Sequence, residues 1–87
     1  MPDDFPYDLT AHASKVIGER EIPMEWVART LAHPERTEAD AVDPALRHAL
    51  TRVPEYGGRA LRVVYNSTVK PWRIVTVYFD RKERSGA

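Results

Sequence analysis

The 87-residue chain has no cysteine, only four glycines, and two residues each of phenylalanine and tryptophan. Without cysteine, neither a disulfide nor a thiolate metal ligand can hold the fold together. The paired glycines, Gly57-Gly58, lie between two strand-like runs and not before a helix, so there is no glycine-rich cradle for a phosphate. No apolar run approaches the roughly 20 residues that cross a bilayer. His12, His33 and His48 are scattered and lack metal-ligand spacing, and no serine sits in the strained turn that a nucleophile needs. Hydrolases that depend on a metal or an activated nucleophile are therefore disfavoured, and neither a metal nor another cofactor is expected. The acidic start, with Pro2 and Pro6, is unlike a secretory signal, so the expected location is the cytoplasm and no membrane partner is expected.

There is also no excess of charge: 13 basic residues balance 13 acidic ones. The balance hides an asymmetry. Residues 1–44 carry ten acids and four bases, net −6, and residues 45–87 carry nine bases and three acids, net +6. One reading is that the two halves close on each other. The other is a basic sheet that meets a polyanion, backed by an acidic helical layer.

The length fits one domain. Residues 1–8 read as an irregular lead-in, 9–80 as a single α+β domain, and 81–87 as a polar basic tail. Asp8 or Thr10 caps a first helix over about 9–19, with Leu9, Ala13, Val16 and Ile17 at helical spacing. Pro23 suits the first turn of a second helix, which ends by about residue 32 because Pro34 follows. Trp26, Val27, Thr30 and Leu31 form its inner stripe. Residues 34–45 are polar and acidic and read as a long connection. Three runs at 46–53, 59–66 and 73–80 then read as an antiparallel meander. The expected fold is thus two helices followed by a three-stranded antiparallel sheet.

In the last strand Val75, Val77 and Phe79 share the face expected to meet the helices. Leu61, Val63 and Tyr65 do so in the middle strand. The expected core combines Leu31, Leu50, Leu61, Val63, Val75, Val77, Phe79 and Trp26. The second sheet face mixes Arg62, Asn66, Thr76 and Tyr78, yet both strands are apolar enough that part of it should be covered by the tails or a partner chain.

Several short motifs carry a resemblance: Thr10-Ala11-His12-Ala13, Glu19-Arg20-Glu21-Ile22-Pro23, Val27-Ala28-Arg29-Thr30-Leu31 with Pro34-Glu35, Arg59 to Tyr65, and Ile74 to Tyr78. Together they resemble the small bacterial proteins grouped as domain of unknown function 4258. More distantly they resemble the BrnT and RelE-type toxins of toxin–antitoxin systems. The resemblance implies helices packed on an antiparallel sheet, with metal-independent RNA cleavage as the activity. RNA or the ribosome, or an antitoxin, would be the partner. His12 and Arg20 match the family's His and Arg. Val16 stands in place of an Arg, Glu21 in place of a Gly, and Pro23 in place of a capping Ser.

A metal-free ribonuclease needs a proton acceptor, a proton donor and cations for the phosphate. His12, Tyr78 and Arg73 are the catalytic candidates. Arg20, Arg62, Arg81 and Lys82 are the candidates for holding RNA phosphates. The competing reading is a non-enzymatic interaction module or small adaptor on the same scaffold, docking a protein through its sheet or its acidic segment 35–43. Convergence of His12, Arg62, Arg73 and Tyr78 on one cleft is what separates the two. Oligomeric state is not readable from the sequence.

Overall fold

The computed structural model describes residues 6–80. In chain order the elements are β1 (Asp8–Leu9), α1 (Ala11–Glu19), α2 (Met24–Ala32), β2 (Arg36–Ala39), β3 (Leu46–Val53), a 3-10 turn (Pro54–Tyr56), β4 (Arg59–Asn66) and β5 (Arg73–Asp80). The sheet is five-stranded and mixed, in the order β1-β5-β4-β3-β2. β1 runs parallel to β5, and all other neighbours are antiparallel. The expected three-stranded antiparallel meander is therefore wrong: the sheet has five strands and is mixed, because β1 and β2 pair onto its two edges. The three expected strands form the centre, and a short strand is added at each edge. Residues 81–87, with Arg81 and Lys82, lie outside the described residues.

Both added strands come from segments read as irregular. Asp8 donates its N–H to Trp72 O (2.9 Å) and Thr10 to Ile74 O (3.0 Å), so the lead-in satisfies carbonyls on the outer edge of β5. Leu9 thus belongs to a strand, and α1 starts two residues later than expected. Thr10 is its cap: Oγ1 accepts from Ala13 N at 3.0 Å and donates to Val75 O at 3.1 Å, which ties the helix start to the sheet. At the other edge, Arg36–Ala39 pairs with Ala39↔Arg47 through Arg36↔Leu50. A polar edge strand lacks the apolar alternation by which strands are recognised, and its charges discourage further pairing.

Between the helices the chain turns in a Schellman motif. Glu21 N–H donates to Gly18 O (3.2 Å) and Ile22 N–H to Ile17 O (3.0 Å), and Glu21 has φ +54°. Ile17 and Ile22, the hydrophobic pair of that motif, are both buried. Pro23 precedes α2 as its N-cap residue in extended geometry (φ −61°, ψ 134°), one position before the helical turn in which it was expected. Within α2 the Thr30 hydroxyl donates to Trp26 O at 2.8 Å, which lets a polar residue be fully buried.

The core lies between the two helices and one sheet face. Ala13, Ile17, Val27 and Leu31 pack on Ala49, Val53, Leu61, Val63, Tyr65, Ile74 and Val77, with Trp26 and Phe79 at the margin. Two expected members differ. Leu50 is buried but stands in register with Arg62, on the helix-free face. Val75 gives its core place to Ile74, because pairing shifts from Val64↔Thr76 to Tyr65↔Ile74. This β-bulge inserts one residue and reverses the inside–outside phase of the start of β5. Beyond the bulge Val77 and Phe79 face the helices as expected. No described helix is long and apolar enough to cross a membrane.

Candidate functional site

At the end of the molecule where α1 meets α2, the inter-helix turn and the β3–β4 turn face each other across a cleft of about 880 Å³. Arg20, Glu21, Trp26, Tyr56, Arg59, Phe79 and Asp80 are among its lining residues. Three aromatic rings form its floor. Tyr56 and Phe79 have centroids 4.7 Å apart, Trp26 lies 5.9 Å from Tyr56, and Trp26 meets Phe79 edge-on at 6.3 Å. The Arg59 guanidinium sits 5.0 Å from the Tyr56 centroid, within cation–π range.

The turn carrying Tyr56 is fixed from several sides. Pro54 starts it, Gly57 and Gly58 leave it at positive φ (+69° and +75°), and Gly58 N–H donates to Val53 O at 2.9 Å. Glu55 accepts two bonds from Arg29 of α2, at 2.9 and 3.0 Å. That bidentate pair holds the Glu55 carboxyl below its ordinary range and raises the Arg29 guanidinium.

The helix-free sheet face holds a second arrangement, centred on Arg62. Nε and Nη2 reach Asp80 Oδ2 at 2.8 and 2.7 Å, and Nη1 reaches Glu38 Oε1 at 3.1 Å and His48 Nδ1 at 2.7 Å. Since a guanidinium can only donate, His48 accepts on Nδ1 and carries its proton on Nε2, where Asp40 Oδ1 accepts it at 2.7 Å. Both ring nitrogens are thus occupied. Burial pulls the Arg62 pKa down, but the bonds to Asp80 and Glu38 outweigh it and the net direction is up. Asp40 is lowered to about 2, first by the Asp43 N–H, then by His48 and by the Val42 N–H. Glu38 is lowered mainly by its bond from Arg62.

These contacts join the acidic first half of the chain to the basic second half at three points. Glu35 pairs with Arg52, Glu38 with Arg62, and Asp40 with His48. The acidic segment thus lies along the basic half as an edge strand with these three carboxylates already engaged.

The sequence-predicted residues do not gather in one place. Arg20, the cap residue of α1, lines the cleft. His12 is exposed in the first turn of the same helix, about 12 Å away at 1.5 Å per residue. Tyr78 stands across from Arg62 on the helix-free face, and Arg73 is exposed at the opposite end of β5, in register with Asn66. The sequence alone does not gather Trp26, Tyr56, Arg59 and Phe79 into a site, because they come from three separate segments. An aromatic residue just before Gly57-Gly58 and Arg59 was the one local signal. Among the described residues no three His, Asp or Glu side chains are grouped to hold a metal ion.

The family model described as Domain of unknown function (DUF4258) matches residues 9–79. The chain belongs to the DUF4258 family. No curated protein and no solved structure matches it. Nothing in these comparisons joins this DUF4258 member to the BrnT and RelE toxins. The match runs from β1 nearly to the end of β5, and so includes both walls of the cleft.

Proposed function

We propose that this DUF4258 member is an RNA-contacting module and that the aromatic–arginine cleft is its contact site. The observation that carries the reading is the pairing of Arg59 with Tyr56 above Trp26 and Phe79, with Arg20 on the facing wall. Among the described residues neither Arg20 nor Arg59 is engaged in an ion pair. Arg29, Arg52 and Arg62, by contrast, are each bound to a carboxylate. Cations free of carboxylates beside an exposed tyrosine and two half-buried rings are groups that can hold a phosphate and stack a base. The resemblance to BrnT and RelE-type toxins favours RNA as the polyanion. Cleavage would need His12, Tyr78 and Arg73 to act together, and their separation favours binding over catalysis.

The test is titration of a short single-stranded RNA at low salt, read by tryptophan fluorescence and by anisotropy. Tyr56→Ala and Arg59→Ala should each weaken binding by roughly 5- to 150-fold, as loss of one stacking platform does. Affinity should fall as salt rises, and Arg73→Ala should bind close to wild type. Absence of binding at low salt overturns the reading, and so does equal binding by Arg59→Ala.

A further inference from the structure

The rings of the cleft floor come from three elements: Trp26 from α2, Tyr56 from the β3–β4 turn and Phe79 from β5. Trp26 and Phe79 stand on elements that the core and the sheet already fix, since α2 buries Val27, Thr30 and Leu31 and β5 is paired along β4. Tyr56 stands on less. It is 45% exposed, at the end of a 3-10 turn that is followed by Gly57 and Gly58 at positive φ. The bond from Gly58 N–H to Val53 O closes the turn on itself but does not join it to the helices. Among the described residues, the only hydrogen bonds from this turn to a helix are the two from Arg29 to Glu55, at 3.0 and 2.9 Å. Neither residue lines the cleft, yet each is one step from a ring. Arg29 lies three residues after Trp26, one helical turn on, and Glu55 immediately precedes Tyr56.

We propose that Arg29 is a positioning residue: by clamping Glu55 it holds Tyr56 against Trp26 and Phe79, so that the stacking platform is formed before a ligand arrives. A preformed platform spares the ligand the cost of ordering it. The two-pronged contact suits this role, because it fixes angle as well as distance, which a single ammonium group does not. Glu25, one turn before Arg29, attracts the same guanidinium without bonding to it, so Glu55 alone decides where the fork points. The two side chains are 40% and 45% exposed, so salt screens the clamp and it adds little to global stability. Its effect is local to the turn. That the ligand is RNA rests on the proposed function; the clamp does not.

The experiment reads the rings without any ligand. At low ionic strength, proton NMR cross-peaks report the Trp26–Tyr56, Tyr56–Phe79 and Trp26–Phe79 contacts separately. In Arg29→Met and in Glu55→Met the two contacts of Tyr56 should weaken. Trp26–Phe79, which does not involve the turn, should persist. Arg29→Lys, which keeps the charge and loses the fork, should fall between Arg29→Met and the parent. Short single-stranded RNA is titrated in parallel, and both methionine variants should bind roughly 2- to 5-fold more weakly, the scale of one exposed ion pair. Glu55→Met separates the clamp from simple charge: loss of a carboxylate would by itself tighten RNA binding, whereas loss of the clamp weakens it. Unmoved Tyr56 contacts in the folded variants overturn the clamp, as does tighter RNA binding by Glu55→Met. Loss of the Trp26–Phe79 contact along with the other two also overturns it, because Arg29 would then hold α2 and not the turn. If Arg29→Met does not fold, Glu55→Met decides alone. Loosened Tyr56 contacts in the variants of a protein that binds no RNA sink the RNA reading and leave the clamp standing. RNA binding with unmoved rings does the reverse.

Discussion

Glu21 is the position where this chain stores strain it does not need. It occupies the left-handed place of a Schellman turn at φ +54°, which glycine fills without penalty. An L-residue there costs about 1–2 kcal/mol, from the clash of Cβ with the neighbouring carbonyl. Glycine returns part of this, because its unfolded chain is freer by about 0.5–1 kcal/mol. Glu21 is exposed and its carboxylate makes no described hydrogen bond or ion pair, so little else is lost. Glu21→Gly should therefore stabilise the fold by about 0.5–1 kcal/mol, which in a domain of this size raises Tm by roughly 2–8 °C. Thermal melts followed by circular dichroism measure it, with Glu21→Ala as the control that keeps Cβ and loses the charge. Glu21→Ala should gain nothing. Equal melting temperatures for the two variants would refute the backbone argument and assign the effect to charge.

Two further outcomes follow from the core and the polar network. Val77 is 1% exposed at the centre of the helix-facing layer, so Val77→Ala should cost about 1–3 kcal/mol in lost transfer energy and cavity. Urea midpoints measure this, and a midpoint equal to that of Arg73→Ala would contradict the core assignment. Asp40 is held down to about 2 from a reference value of 3.8. Its contribution is complete above the unfolded carboxylate range and is lost as pH falls through the folded value. Wild type should thus lose more stability than Asp40→Asn between about pH 4 and pH 2. Parallel slopes in that window would show that the hydrogen bonds to Asp43, Val42 and His48 are not formed in solution.

What the sequence disclosed depended on how local each signal was. Pro23 and Pro34 bracket α2 by their own backbone chemistry, and the ranges 46–53, 59–66 and 73–80 are the strands observed. The edge strands were hidden for opposite reasons. Asp8–Leu9 is too short to show a period. Arg36–Ala39 has no apolar side to alternate, and its pairing is decided by β3 and by carboxylates seeking Arg52, Arg62 and His48. The bulge at Val64/Tyr65 leaves no mark in an apolar run where every second residue already qualifies as core, so Val75 and Ile74 could not be told apart. The register of the β3–β4 hairpin would have placed Leu50 beside Arg62, but only once Val53↔Arg59 is known to close it. The cleft was least legible, because Trp26, Tyr56 and Phe79 meet only after helix, turn and sheet have each been placed.

The coverage of β5 by β1 bears on how this protein survives in a crowded solution. Ile74-Val75-Thr76-Val77-Tyr78-Phe79 is a six-residue run of high β-propensity with no charge, proline or glycine, the composition that stacks most readily with copies of itself. On one side it is paired with β4 along its length; on the other, Asp8–Leu9 pairs with its first two positions, Arg73 and Ile74. Two residues thus shield the start of the most aggregation-prone segment of the chain. A proteolytic nick or a truncation that removes them uncovers the backbone N–H and C=O groups at the start of β5 as a template for a second molecule.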